Sequence, residues 1–366
     1  MIPQTRALIS PQMDFWLLGG LSAVVLAIIW VLTEWLHIEL MRDLPWWLFC
    51  ASFVVNYPHF AYSYQVFYHS FWKRLKTPES TAWSHMRLCV AGIIAPAAII
   101  GYLYMSFALK DPWLLATGVS VMLFLVGWHY VKQGYGVLIT ISIYKGIYMD
   151  NWQKRLLYIH AYAAWIFSWT RVNTTARMSE FHDVRYYALD LPPWLLDLAT
   201  WGITATGIAA AAGVLWCWLV QRRGIALNGL IGYLSSIYVW VAVPFYNTAF
   251  FYCIPFFHSL QYLPFIYKYK KTETERDRAG KDTKEAAMLY WSMVAFVVTG
   301  IALGAIFMDL LPKHLDYGFS LYDKGSFTKN YFLVSFLLFI NIHHYFIDNA
   351  FWRRDNKDVQ DYLFRA

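Results

Sequence analysis

Apolar runs of about twenty residues alternate with short polar connectors along the whole chain, the rhythm of helices that each cross a hydrocarbon core about 30 Å thick. Runs of this kind lie near 15–32, 45–67, 88–109, 113–141, 156–170, 194–220, 225–243, 249–267, 288–308 and 331–350. The pattern predicts an all-α, polytopic bundle of about ten transmembrane helices. The fourth run is longer than a bilayer requires and should protrude, and the fifth is short. The connectors set the orientation. Lys73, Arg74 and Lys76, then Lys154 and Arg155, Arg222 and Arg223, and the stretch 268–284 all fall on one side, which the bias of Lys and Arg makes cytoplasmic. Connectors on the other side are mixed or acidic. An even number of spans places both termini in the cytoplasm, with Arg353 and Arg354 inside. A single membrane domain over 1–366 is expected, with a polar cytoplasmic loop at 268–287 and external loops at 171–193 and 309–330. The first residues carry Arg6 without a short apolar core and cleavage site, so the first span is expected to stay as an anchor.

Composition sharpens this picture. Hydrophobic residues make up 59% and charged residues 14%, well away from soluble domains. The 19 Trp and 27 Tyr suit a protein with two water interfaces. The net charge of +7 sits in the connectors, so basicity here reports topology, and no nucleic-acid partner is expected. Cys50, Cys89, Cys217 and Cys253 lie in apolar runs without metal or disulfide spacing and read as packing residues. Localisation in a bacterial inner membrane is expected.

Ionisable residues within a bilayer are costly, which makes their positions informative. His59 lies in the second span, His129 in the fourth, His258 in the eighth, and His343, His344 and Asp348 in the tenth. These four spans run in the same direction, so their histidines fall in comparable halves and are expected to share a layer. One buried histidine alone is most simply a packing residue; five placed together point to a metal site. His344 and Asp348, four residues apart, share a helical face, whereas His343 points about 100° away. Neutral imidazole is a common transition-metal ligand, and a carboxylate can ligate or orient a histidine. His59, His129, His258, His343 and His344 are therefore the candidate ligands. Asp348, Tyr345, Gln133 and Gln261 are the candidate catalytic residues, the two glutamines lying on the faces of His129 and His258. Lys132 either snorkels or meets an anionic group. His69 and His160 near span ends are weaker candidates, and His37, His85, His182 and His314 are expected in loops. Pro58, Pro255 and Pro264 should perturb helices near the histidines.

The segments around His59, His129, His258 and 343–352 resemble those of bacterial membrane proteins grouped with the β-carotene dioxygenase-like family and, more distantly, membrane desaturases and hydroxylases. That resemblance implies non-haem iron, one or two ions, dioxygen and a lipid-soluble substrate. The expected function is thus a membrane-integral oxidoreductase, an oxygenase or desaturase acting on a lipid or isoprenoid. Its partners would be that lipid-soluble molecule, membrane lipids and an electron-donor protein. Three other classes compete with it. A haem-binding electron-transfer subunit would show a haem spectrum, a proton-coupled transporter would spread ionisable groups through the membrane depth, and a non-catalytic scaffold subunit would use its polar cluster to hold helices together.

Overall fold

The computed structural model describes residues 7–36, 43–76, 81–175, 178–241, 253–278, 283–322, 330–353 and 355–364. Helices dominate: α1 Pro11–Glu34, α2 Leu44–Ser52, α3 Asn56–Leu75, α4 Ala82–Leu109, α5 Pro112–Tyr144 and α6 Asn151–Thr175. A hairpin of β1 Met178–Phe181 and β2 Val184–Tyr187 follows. Then come α7 Pro193–Leu219, α8 Leu227–Val241, α9 Cys253–Arg278, α10 Thr283–Ala305, α11 Leu311–Tyr322 and α12 Tyr331–Phe351. Their ends carry the expected chemistry. Ser10 and Thr81 cap α1 and α4 by accepting N–H bonds in the first turn, and the Asp316 carboxylate accepts from Phe332 and Leu333 at the start of α12.

Six of the described helical stretches are long and apolar enough to cross a membrane: Pro11–Glu34, Ala82–Leu109, Pro112–Tyr144, Pro193–Leu219, Ala287–Ser320 and Tyr331–Phe351. The distribution of polarity also suits lipid. Ile100, Tyr104 and Leu109 on α4, Leu198, Trp201 and Ile208 on α7, and Met288, Trp291 and Val298 on α10 are exposed, while Asn56, His59, Ser63, His344 and Asp348 are buried. Apolar faces of this extent are rare on soluble monomers, and acyl chains cover them without cost. The molecule is compatible with an integral membrane protein.

Four local features depart from the sequence reading. The run 45–67 is two helices, α2 and α3, separated at 53–55. Pro58 explains the break, because it donates no N–H and clashes with the carbonyl four residues back; it is tolerated in the first turn of α3, where donors lack helical partners anyway. The polar stretch read as a loop from 268 is helical to Arg278, carried by Lys270–Glu273 and Lys271–Glu275 pairs one turn apart. The stretch read as an external loop from 309 contains α11, whose entry is reinforced by Lys313 pairing with Asp309. The other external stretch contains the hairpin, turned by His182 and Asp183 at φ 49° and 66°, a two-residue turn with both central residues left-handed. Of the histidines assigned to loops, His85 lies in α4, His314 in α11 and His182 in the hairpin turn, and His37 lies outside the described residues.

The contacts divide the chain into two compact units. The first comprises Met1–Ser52, Gly127–Arg177 and Ala188–Tyr267. In it α6 lies along α7, and α8 packs on α6 and on the bend of α1. Ser22, Ser235 and Tyr238 hydroxyls cluster at that bend, with Ser22 donating to the Gly19 carbonyl. The second unit comprises Phe53–Val126, Met178–Tyr187 and Lys268–Ala366. There α3 packs against α10 and α12, and α12 also meets α4 and α11. Two apolar clusters hold this unit: Leu115, Val119, Val334 and Leu338 in one, and Tyr57, Phe60, Leu333 and Leu337 in the other.

Candidate metal centre

In the second unit, α3 and α12 face each other with matching four-residue spacings. His59 and Ser63 occupy one face of α3, and His344 and Asp348 occupy one face of α12. The imidazoles of His59 and His344 meet edge to face, with centroids 4.5 Å apart at 80°. One turn along, the Ser63 hydroxyl donates to Asp348 Oδ1 at 3.2 Å. Asp348 Oδ2 stands 3.3 Å from His344 Nε2. A charged hydrogen bond would be shorter, about 2.7–2.9 Å. Two atoms each about 2.1 Å from one metal ion stand roughly 3.0–3.4 Å apart at ordinary coordination angles, so this separation suits two ligands of a common ion. Both imidazoles are 0% exposed, and Phe60 presses an edge against His344 with centroids 4.9 Å apart. The His59 and His344 imidazoles thus face each other, with the Asp348 carboxylate beside His344, in a setting closed to bulk water.

The adjacent His343 does something else. Its Nε2–H donates to the Ala91 carbonyl at 2.9 Å, which fixes the tautomer and leaves Nδ1 to accept from the Tyr64 hydroxyl at 2.8 Å. With both ring nitrogens committed, His343 pins α12 to α4 and α3 and has no lone pair left for a metal. The sequence reading included it among the ligands; the hydrogen bonds remove it from that set. Its 100° offset from His344 is what turns it away from the His59–His344 pair.

The first unit holds its own imidazole pair. His129 on α5 and His258 on α9 lie with centroids 5.0 Å apart at 69°, and Tyr130 stacks on His258 at 3.9 Å and 18°. Gln133, one turn beyond His129, donates to the backbone carbonyl of His258 at 2.9 Å. Gln261 donates to the carbonyls of Leu18 and Gly232 at 2.6 and 3.0 Å, and its Oε1 accepts from Ser236 at 3.0 Å. Both amides read from sequence as catalytic are therefore committed to bracing backbone, Gln133 on α9 and Gln261 on α1 and α8. Tyr345, also a candidate, donates back along α12 to Asn341 at 3.1 Å.

Residues of lesser standing find ordinary places. Lys132 lies 4.5 Å above the Trp128 ring, a cation–π contact that stabilises its charge. His160 meets Thr206 at 3.2 Å, His69 is exposed near the end of α3, and all four cysteines are free. Sequence reading missed Ser63, although its spacing of four from His59 mirrors that of Asp348 from His344. It also missed Tyr64, whose role depends on which histidine comes to face it.

No protein-family model, curated protein or solved structure matches this chain.

Proposed function

We propose that the protein is a membrane-integral oxidoreductase that holds non-haem iron, one or two ions. The ligands within the second unit are His59, His344 and Asp348, those within the first are the separate pair His129 and His258, and the reaction uses dioxygen on a lipid or isoprenoid. The observation that carries this reading is the buried imidazole pair His59–His344 with the Asp348 carboxylate beside His344, on α3 and α12. Two histidines and one carboxylate form the donor set of ferrous oxygenases, and it suits calcium or magnesium poorly. When bound, iron would supply the one-electron chemistry that activates dioxygen.

The chain's own residues account for the rest. Ser63 holds the Asp348 carboxylate at one oxygen and leaves the other directed at the His344 side. His343 fixes the rotation of α12, and hence the aim of His344, through its bonds to Ala91 and Tyr64. Phe60 excludes water on one side of the imidazoles, which protects reactive species and favours an apolar substrate. Haem fits these pairs less well. Two axial bonds of about 2 Å would set imidazole centroids roughly 6 Å apart on opposite faces of the ring, and the observed separations are 4.5 and 5.0 Å. Purified protein is expected to carry near-stoichiometric iron and no Soret band; a Soret band, or no metal after gentle extraction and ferrous reconstitution, removes the reading.

The wider reading is a bacterial inner-membrane protein of ten spans with both termini in the cytoplasm, supplied with electrons by a donor protein. Support comes from the basic connectors and the six long apolar helices. Single cysteines at Lys73, Arg222, Lys271 and Arg353 should react with an impermeant thiol reagent only after the membrane is opened. Cysteines at Arg177 and Lys324 should react in intact cells. External labelling of Lys271→Cys overturns the topology.

A further inference from the structure

A small cavity in the first unit is lined by Tyr130, Ser236, Trp240, Phe257, His258 and Gln261, and Ile254 closes one side. Trp240 is 9% exposed, and among the described residues its indole Nε1–H has no hydrogen-bond acceptor. Indole nitrogen can only donate, and a buried donor left unmet destabilises a fold by about 1–3 kcal/mol. The ring is held in place. Tyr130 packs its edge on it with centroids 5.9 Å apart, and Gly127 leaves it room, since a Cβ there would lie 2.4 Å from Cζ2.

Two other polar groups of the wall, Gln261 and Ser236, have no donor to offer an incoming molecule. Gln261 spends its N–H groups on the carbonyls of Leu18 and Gly232, and its oxygen accepts from Ser236. Ser236 has the Gly232 carbonyl as its other acceptor, at 3.1 Å. The single Ser236 proton is divided between these two acceptors, so neither side chain has a donor to spare. A water or an alcohol would bring a proton that must find an acceptor among walls that are mostly aromatic and aliphatic. An oxygen that only accepts, attached to apolar matter, meets the indole without requiring an acceptor from the cavity walls. We propose that this cavity binds the carbonyl oxygen of a lipid-soluble ketone, aldehyde or ester, with Trp240 Nε1–H as the recognising donor and the aromatic walls contacting the adjoining carbons. The inference uses the cavity and the indole alone and does not depend on a metal.

The test uses the protein as isolated in dodecyl maltoside micelles, a surfactant without a carbonyl, labelled with nitrogen-15 at the tryptophan indoles and titrated with 2-undecanone or with undecane. One indole N–H resonance, assigned to Trp240 by its loss in Trp240→Phe, should move downfield and saturate at one equivalent of ketone, and undecane should leave it in place. Carbon-13 labelled ketone should show a carbonyl infrared band shifted to lower wavenumber in the wild type, absent in Trp240→Phe, with affinity lower by about tenfold, the worth of one neutral hydrogen bond. Ile254→Phe keeps the indole and fills the cavity, so it should abolish the shift even if Trp240→Phe fails to fold. No saturable shift, an equal shift with undecane, or an undiminished shift in Ile254→Phe would overturn the proposal. Iron content, measured separately, bears on the oxidoreductase reading and leaves this result unaffected.

Discussion

His344→Ala is expected to lower iron affinity by more than about 100-fold, because it removes a metal–ligand bond and leaves His59 and Asp348 with too few partners; loss of a group that only supports a ligand typically costs 10–100-fold. His343→Ala, one residue away, should destabilise the protein yet retain metal, since both nitrogens of His343 are spent on Ala91 and Tyr64. Metal analysis of the two variants side by side reads this difference directly. Asp348→Asn sorts the role of the carboxylate: a loss as deep as that of His344→Ala makes it a ligand. Ser63→Ala should cost roughly tenfold, because Asp348 keeps its charge and loses only its tether. Equal metal in wild type and His344→Ala would contradict the account.

Gly304→Leu is expected to destabilise the protein by about 3 kcal/mol, at the upper end of ordinary overpacking. Gly304 on α10 lies against the first turn of α3, where a Cβ would stand 2.6 Å from the Tyr57 carbonyl carbon and 2.9 Å from the nitrogen of Pro58. These are backbone atoms and cannot rotate away, so the two helices must part. His59 follows Pro58 directly, so the displacement should also weaken iron binding. Gly101→Ala on α4 is the control: nothing lies within 4 Å of its Cβ, and the helix should gain about 0.5–1 kcal/mol. Detergent-solubilised melting curves, combined with iron titration, separate the two outcomes. A Gly304→Leu protein as stable as wild type would show that α3 and α10 do not pack as described.

Much of the helical framework was legible because hydropathy integrates over twenty residues. The same averaging concealed the break at 53–55, where apolar character continues through Phe53, Val54 and Val55 while Pro58 resets the backbone. It also gave the wrong state to 268–278, where charge reads as solvated loop although Lys270, Lys271, Glu273 and Glu275 are spaced for helical pairing. Within the candidate site, helical spacing alone put His344 and Asp348 on one face and turned His343 away. What spacing could not supply was the partner of each face. His343 is a pin because Ala91 and Tyr64 come to meet it, and Gln133 is a brace because the His258 carbonyl does. Those are tertiary facts, and a list of intramembrane polar residues carries no information about which will be spent on backbone.

X-ray absorption at the iron edge of reconstituted wild-type protein tests the central claim most directly. The account predicts a first shell of nitrogen and oxygen at about 2.0–2.2 Å with outer-shell scattering from at least two imidazoles, and loss of part of that scattering in His59→Ala. Iron surrounded by water oxygens alone, or an imidazole signal unchanged in both His59→Ala and His344→Ala, would show that these histidines hold helices together and bind no metal.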